Sequence, residues 1–209
     1  MLVNTNYLCV EILKETSVMT ERQAEIIEKS INLIATKGIQ GLTIKNLSKE
    51  IGISEPAIYR HFESKTDILL AILKNFEEMS SFMDAAMSQF ADTAMAKIEF
   101  MFSKIVEIFI EEPSHISVVF SEEVFKNEAI LKKRIVEIME VKVKTIENIM
   151  LEGQKNQEIR TDIDYKTLAM IVVGTLRFMI KQWDLKNQHN NLKEESKKLI
   201  NGLKIILKA

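Results

Sequence analysis

The chain has 209 residues, 46% of them hydrophobic and 28% charged, which excludes wholesale disorder and leaves room for one domain or two small ones. Only six Gly and two Pro leave too few turns for an all-β sandwich or barrel and point to long helices. The net charge of −2 shows no overall basic balance, so any nucleic-acid footprint must be local, and the single Cys9 fits a reducing cytoplasm.

Residues 1–19 form a leader of weak periodicity. Two readings stand: Met19 is the native start and the leader is not native, or residues 7–14 form an N-terminal helix packed on the body. Residues 2–10 are too short and polar for a signal peptide. Thr20 and Gln23 make a capping box, and Ile26, Ile27, Ile31, Ile34 and Ala35 repeat at helical spacing, which predicts a helix over 21–37 closed by Gly38. Thr43 caps a second helix over 44–51, with Leu47 and Ile51 on one face, and Gly52 breaks it. Ser54 caps a short third helix with Pro56 in its first turn, where a missing N–H costs little. Ile58 and Phe62 face inward. Ser64 caps a fourth helix, with Asp67 at the capping-box position.

Asp92 is expected to cap a helix reaching residue 110, ended by Pro113, and Ser114 a shorter one to 124. Asn127 opens a long helix to 151 that Gly153 ends, and Asp164 caps an apolar helix to 183. A last helix carries Leu199, Ile200, Leu203, Ile206 and Leu207. No apolar run reaches the ~18 residues of a membrane span, so no membrane partner is expected. The longest candidate, 168–180, contains Arg177.

Residues 43–65 thus read as helix, glycine turn and short helix, the layout that holds one helix with its outer face toward the major groove. Its inner positions are apolar (Leu47, Ile51, Ile53, Ile58, Phe62), and its outer positions are Glu55, Pro56, Ala57, Tyr59, Arg60 and His61. The segments Gly41-Leu42-Thr43-Ile44, Ile51-Gly52-Ile53-Ser54, Ala57-Ile58-Tyr59-Arg60-His61-Phe62 and Ser64-Lys65 closely resemble the TetR family of one-component bacterial regulators. The resemblance is specific over 20–76. Beyond that it rests on an all-helical layout of matching length and on Gln157-Glu158-Ile159-Arg160-Thr161-Asp162. It implies an all-α chain: a three-helix helix-turn-helix DNA-binding domain at 20–66 and a helical regulatory and dimerisation domain at 67–209. The implied function is a homodimeric, cytoplasmic repressor that binds a double-stranded operator and is released by a small apolar or amphipathic effector of unknown identity.

The resemblance also assigns roles to single residues. Thr43 and Lys45 meet backbone or base at the groove edge, and Ser54, Glu55 and Ala57 sit where family members touch bases. Tyr59, His61 and Lys65 match phosphate-binding positions, while Arg60 occupies a variable position able to read guanine bidentately. Bland alternatives stand beside these. Glu55 complements the dipole of its own helix, and Lys45, Lys49, Arg60 and Lys65 form an ordinary solvated face. Over 20–66, seven Lys/Arg (22, 29, 37, 45, 49, 60, 65) face six Asp/Glu (21, 25, 28, 50, 55, 63), so affinity has to come from placement and dimerisation.

Nine of the eleven Met and nine of the ten Phe lie after Phe62, which suits an adaptable apolar pocket as well as ordinary core. Expected lining residues are Phe82, Met83, Met87, Met101, Phe102, Phe120, Met139 and Met170, with His115, Arg177 and Trp183 as polar anchors. The dimer interface is expected on the last two long helices at Gly174, Thr175, Phe178, Leu199 and Leu203. There is no glycine-rich phosphate loop, zinc spacing or nucleophile motif, so no enzyme, metal or cofactor is expected. The alternative function is a helical ligand-binding or interaction protein without operator binding.

Overall fold

The computed structural model describes residues 19–120, 124–126, 128–188 and 191–209. The leader expected at 1–19, all but Met19, lies outside the described residues, as does Asn127. Among the described residues the fold is all-α. Its nine α-helices are α1 (Glu21–Gly41), α2 (Ile44–Ile51), α3 (Glu55–Tyr59), α4 (Lys65–Phe90), α5 (Ala94–Glu111), α6 (Ile116–Val119), α7 (Ala129–Lys155), α8 (Tyr165–Leu185) and α9 (Leu192–Leu207). The chain divides into two compact units, Met1–Phe82 with Ser117–Arg134, and Met83–Ile116 with Ile135–Ala209. The expected head, 20–66, lies within the first.

In the first unit, Thr20 Oγ1 accepts from Gln23 N at 3.2 Å, and Gln23 Oε1 accepts from Thr20 N at 3.0 Å. The box satisfies two N–H groups at the start of α1. Ile26, Ile27, Ile31, Leu33 and Ile34 form the buried face of that helix. The closure expected at Gly38 is observed as a break in the helix there. Gly38 adopts φ 68°, open to glycine without strain, and the chain kinks there and coils on to Gly41. Thr43 Oγ1 accepts from Asn46 N at 3.1 Å to start α2. Gly52 ends α2 in the left-handed conformation (φ 80°, ψ 30°), its N–H bonded to Ser48 O at 2.9 Å. Ser64 Oγ accepts from Asp67 N at 3.1 Å and donates to Asp67 Oδ2 at 2.9 Å, closing the start of α4. Leu47, Ile58, Phe62, Ile68, Leu69, Ile72 and Leu73 are buried, so α2, α3 and α4 each contribute to the core.

In the second unit, α9 packs against both α5 and α8. The cap of α5 is Thr93, whose Oγ1 accepts from Ala96 N at 3.1 Å, and not Asp92 as expected. Pro113–His115 form a 3₁₀ turn and α6 covers Ile116–Val119; residues 121–123 of the helix expected from 114 to 124 lie outside the described residues. Helix α7 continues past Gly153, which is buried inside it. Asp164 Oδ1 accepts from Lys166 N at 3.0 Å and Thr167 N at 3.2 Å, the cap expected for α8. The loop before α8 is tied inward. Arg160 N donates to Leu207 O at 2.9 Å, and Gln154 Nε2 donates to Arg160 O and Ile163 O at 2.7 Å each. Arg160 also pairs with Asp162, Nε to Oδ1 and Nη2 to Oδ2, both at 2.6 Å. This pairing holds the Asp162 carboxyl below its usual range.

Candidate nucleic-acid interface

Helix α3 has only five residues, and what it exposes is set by what it buries. Ile58 points into the core and Phe62 follows it inward, anchored by Phe62 N to Ile58 O at 3.1 Å. The opposite side then faces out. Ser54, Glu55, Pro56 and Arg60 are exposed, Tyr59 is 50% exposed, and Ala57 and His61 are half-buried. Thr43 and Lys45, at the start of α2, are exposed as well. Ser54 holds the cap position of α3, yet its side chain makes no capping hydrogen bond, contrary to the sequence expectation. Gln23 Nε2 donates to His61 O at 3.5 Å, a weak tie from α1 to the end of the reading segment.

Lys65 is placed differently from a lysine reaching freely into solvent. Its Nζ donates to Ile39 O at 2.9 Å, in the kinked end of α1. Burial pulls its pKa below the ordinary lysine value, and the charge of Glu128 acts the other way. Next to it, Thr66 Oγ1 donates to Glu128 Oε2 at 2.6 Å. Thr66 and Glu128 were not singled out by the sequence, and Gln23 only as the capping-box partner of Thr20. Glu128 lies 62 residues from Thr66, and no local signal links the two.

The residues expected to line an effector pocket divide. Met87 and Phe102 are buried; Phe82, Met83, Met101, His115, Phe120 and Arg177 are half-buried; Trp183 is buried. Burial lowers the His115 pKa, favouring neutral imidazole. Two expectations need correction. Met139 is 40% exposed and Met170 75% exposed, so neither lines an interior space of the protomer. A groove of about 460 Å³ does open between α5 and α9, but Glu99, Glu107, Lys193, Lys197 and Lys204 make its rim charged, and none of the expected residues lines it.

The residues expected at the dimer interface also divide. Gly174 is exposed and Phe178 is 67% exposed, in line with Met170 and Leu185 on one side of α8; Ile205 and Ile206 are exposed on α9. Thr175 Oγ1 bonds Ile171 O at 2.8 Å and Val172 O at 3.0 Å in its own helix. Leu199 is half-buried. Leu203 is only 1% exposed, so it is core of its own protomer and not a surface residue, which corrects its assignment. Among the described residues no group of three or more His, Cys, Asp or Glu could hold a metal, and no helix is long and apolar enough to cross a membrane.

Two family models account for most of the chain. Residues 26–72 match the bacterial regulatory proteins of the tetR family, and residues 75–206 match the YsiA-like protein C-terminal region. The chain belongs to the TetR family. It is a DNA-binding transcriptional regulator. The fatty acid metabolism regulator protein of Bacillus subtilis (strain 168) is 24% identical over 170 residues, 80% of this chain and 86% of that protein. A nucleoid occlusion factor SlmA of Glaesserella parasuis is 29% identical over 156 residues, 74% of this chain and 76% of that one. The solved structure of the regulator FadR from Bacillus subtilis in complex with stearoyl-CoA superposes with a TM-score of 0.75. It has 22% identity and covers 86% of this chain and 96% of that one, a likeness of fold.

Proposed function

We propose that this regulator acts in the cytoplasm as a homodimer that represses by occupying an operator and is released by a long-chain acyl thioester of coenzyme A. The observation that carries the DNA-binding reading is the burial of Ile58 and Phe62 with Glu55, Tyr59 and Arg60 left outside. Glu55, Arg60, Ser54 and Ala57 are then the base-reading residues. Tyr59, His61, Thr43, Lys45 and Lys65 are the residues that hold phosphate and set register. The exposed Met170, Gly174, Phe178 and Leu185 stripe supports α8 as the dimer surface, since apolar residues this exposed are costly unless a second copy covers them. The fatty acid regulator and the stearoyl-CoA complex among the similar proteins support this effector class. Its acyl chain suits the Met and Phe content of the second unit.

The test is selection of genomic fragments by the purified protein, followed by competition with stearoyl-CoA. The expected result is a small set of fragments sharing an inverted repeat, released by the thioester and not by free coenzyme A. Arg60→Ala should alter the selected sequence, because a base contact is worth about 1–3 kcal/mol of discrimination. Tyr59→Phe should weaken all fragments evenly. Failure to enrich any fragment overturns operator binding; enrichment without release by stearoyl-CoA overturns only the effector class.

A further inference from the structure

The start of α4 is a place where an anion is favoured. The first-turn N–H groups of a helix lack intrahelical partners and carry the positive end of its dipole. Here Lys65 adds an ammonium and Thr66 a hydroxyl. Two acids stand near it. Asp67 is engaged by Ser64 in the capping box. Glu128 comes from a distant part of the same unit, and its Oε2 accepts from Thr66 Oγ1 at 2.6 Å. A second tie keeps that carboxylate in place, since Arg134, six positions further on and within α7, pairs with Glu77 of α4.

We propose that Glu128 is an internal counter-anion of the DNA-binding head: seated on Thr66 beside Lys65, it holds the negative charge that a DNA phosphate brings there, and so lowers affinity for duplex DNA. This rests on the reading of Lys65 as a phosphate-binding residue. The geometry makes the two anions rivals. A phosphate approaching Lys65 meets the field of the Glu128 carboxylate held on the adjacent Thr66, and like charges repel through water with a force that salt screens. Glu128 therefore acts as a positioning residue for Lys65 rather than as a contact to DNA. Because it immediately precedes α7, the local charge at the head depends on where the first turn of α7 lies.

The experiment measures binding of the full chain to a short random-sequence duplex across a range of salt, so neither operator nor effector is needed. Glu128→Gln keeps an acceptor for Thr66 and removes the charge. It should bind roughly two- to fivefold more tightly at low salt, with the gain shrinking as salt rises. The same substitution in a Lys65→Met background should give no gain. A bare structural staple would give the reverse: loss of melting temperature, and no salt-dependent gain. Affinity unchanged or weakened in Glu128→Gln, or a gain that survives in Lys65→Met, overturns the inference. Lys65→Met alone should lower the slope of log K against log salt by about one per lost contact. If it does and Glu128→Gln changes nothing, only the counter-anion fails. If it does not, the phosphate role of Lys65 fails and the counter-anion with it. Thr66→Val unseats the carboxylate without removing its charge and serves if Glu128→Gln loses its helical signal; a gain in the same direction supports the inference, and none overturns it.

Discussion

Gly153 lies within α7 where another chain segment comes too close for a side chain. A Cβ there would stand 2.7 Å from the Cβ of Ala94 and closer still to the side chain of Ile159. Its place in the sequence, after a long apolar pattern, resembles a helix stop, but the helix runs on to Lys155. The residue is glycine because α7 and the start of α5 touch here. Two effects compete in Gly153→Ala. Helix propensity favours alanine by about 0.5–1 kcal/mol, whereas overpacking costs about 1–3 kcal/mol. Overpacking wins, and the variant is expected to unfold at lower urea with an unchanged m-value. A midpoint equal to or above the parent's would show that α5 and the 156–163 loop yield at no cost. Lys65 teaches the same lesson for charge: the family resemblance implies a phosphate role for it, and only the tertiary structure reveals the bond to Ile39 O and the influence of Glu128.

At the scale of elements, the caps were the most legible feature. Thr20, Thr43, Ser64 and Asp164 each bond an N–H two or three residues ahead, so a window of four residues contains the whole interaction. The start of α5 shows where that rule becomes ambiguous. Asp92 and Thr93 are adjacent and both are good caps by type, but Thr93 takes the role. Glu158 Oε2, arriving from the loop after α7, accepts from Ala94 N at 2.7 Å and covers a second orphan N–H. That distant acid is invisible to a local reading. Thr93→Ala is expected to cost about 0.5–2 kcal/mol, the ordinary loss of a cap. Asp92→Ala, at an exposed site without the capping bond, should change stability by no more than about 0.5 kcal/mol. Thermal melts of the two variants decide between them, and a larger loss for Asp92→Ala would reverse the assignment. Helix α3 was legible for another reason: Ile58 and Phe62, four apart, leave only one orientation in which both are buried, and that orientation exposes Glu55, Tyr59 and Arg60.

For the whole molecule, the proposed dimer surface is the outer side of α8. Phe178→Glu is expected to yield folded monomers with much reduced operator affinity, because half-sites about 34–36 Å apart would then be bound singly. Leu203→Glu should act differently. Its side chain is buried in its own protomer, so an unpaired charge there is expected to unfold the second unit rather than separate two folded copies. Sedimentation and circular dichroism together test this. An intact dimer for Phe178→Glu sinks the α8 interface, and a folded monomer for Leu203→Glu would return that residue to it.

Sequence alone determined the all-helical class, the caps at Thr20, Thr43, Ser64 and Asp164 and the glycine-punctuated helix-turn-helix, because each depends on residues close in the chain, and its motif residues carried the family resemblance. It left open which sides of α8 face inward. That helix is apolar on nearly every side, so Met170 and Phe178 read like Leu168 and Val172, and only packing separates the exposed pair from the buried pair. Packing also brought Glu158 to Ala94 and Glu128 to Thr66, across 64 and 62 residues. Such contacts belong to the tertiary structure because their cost, the ordering of the intervening chain, is met by burial elsewhere and leaves no mark on the residues that touch.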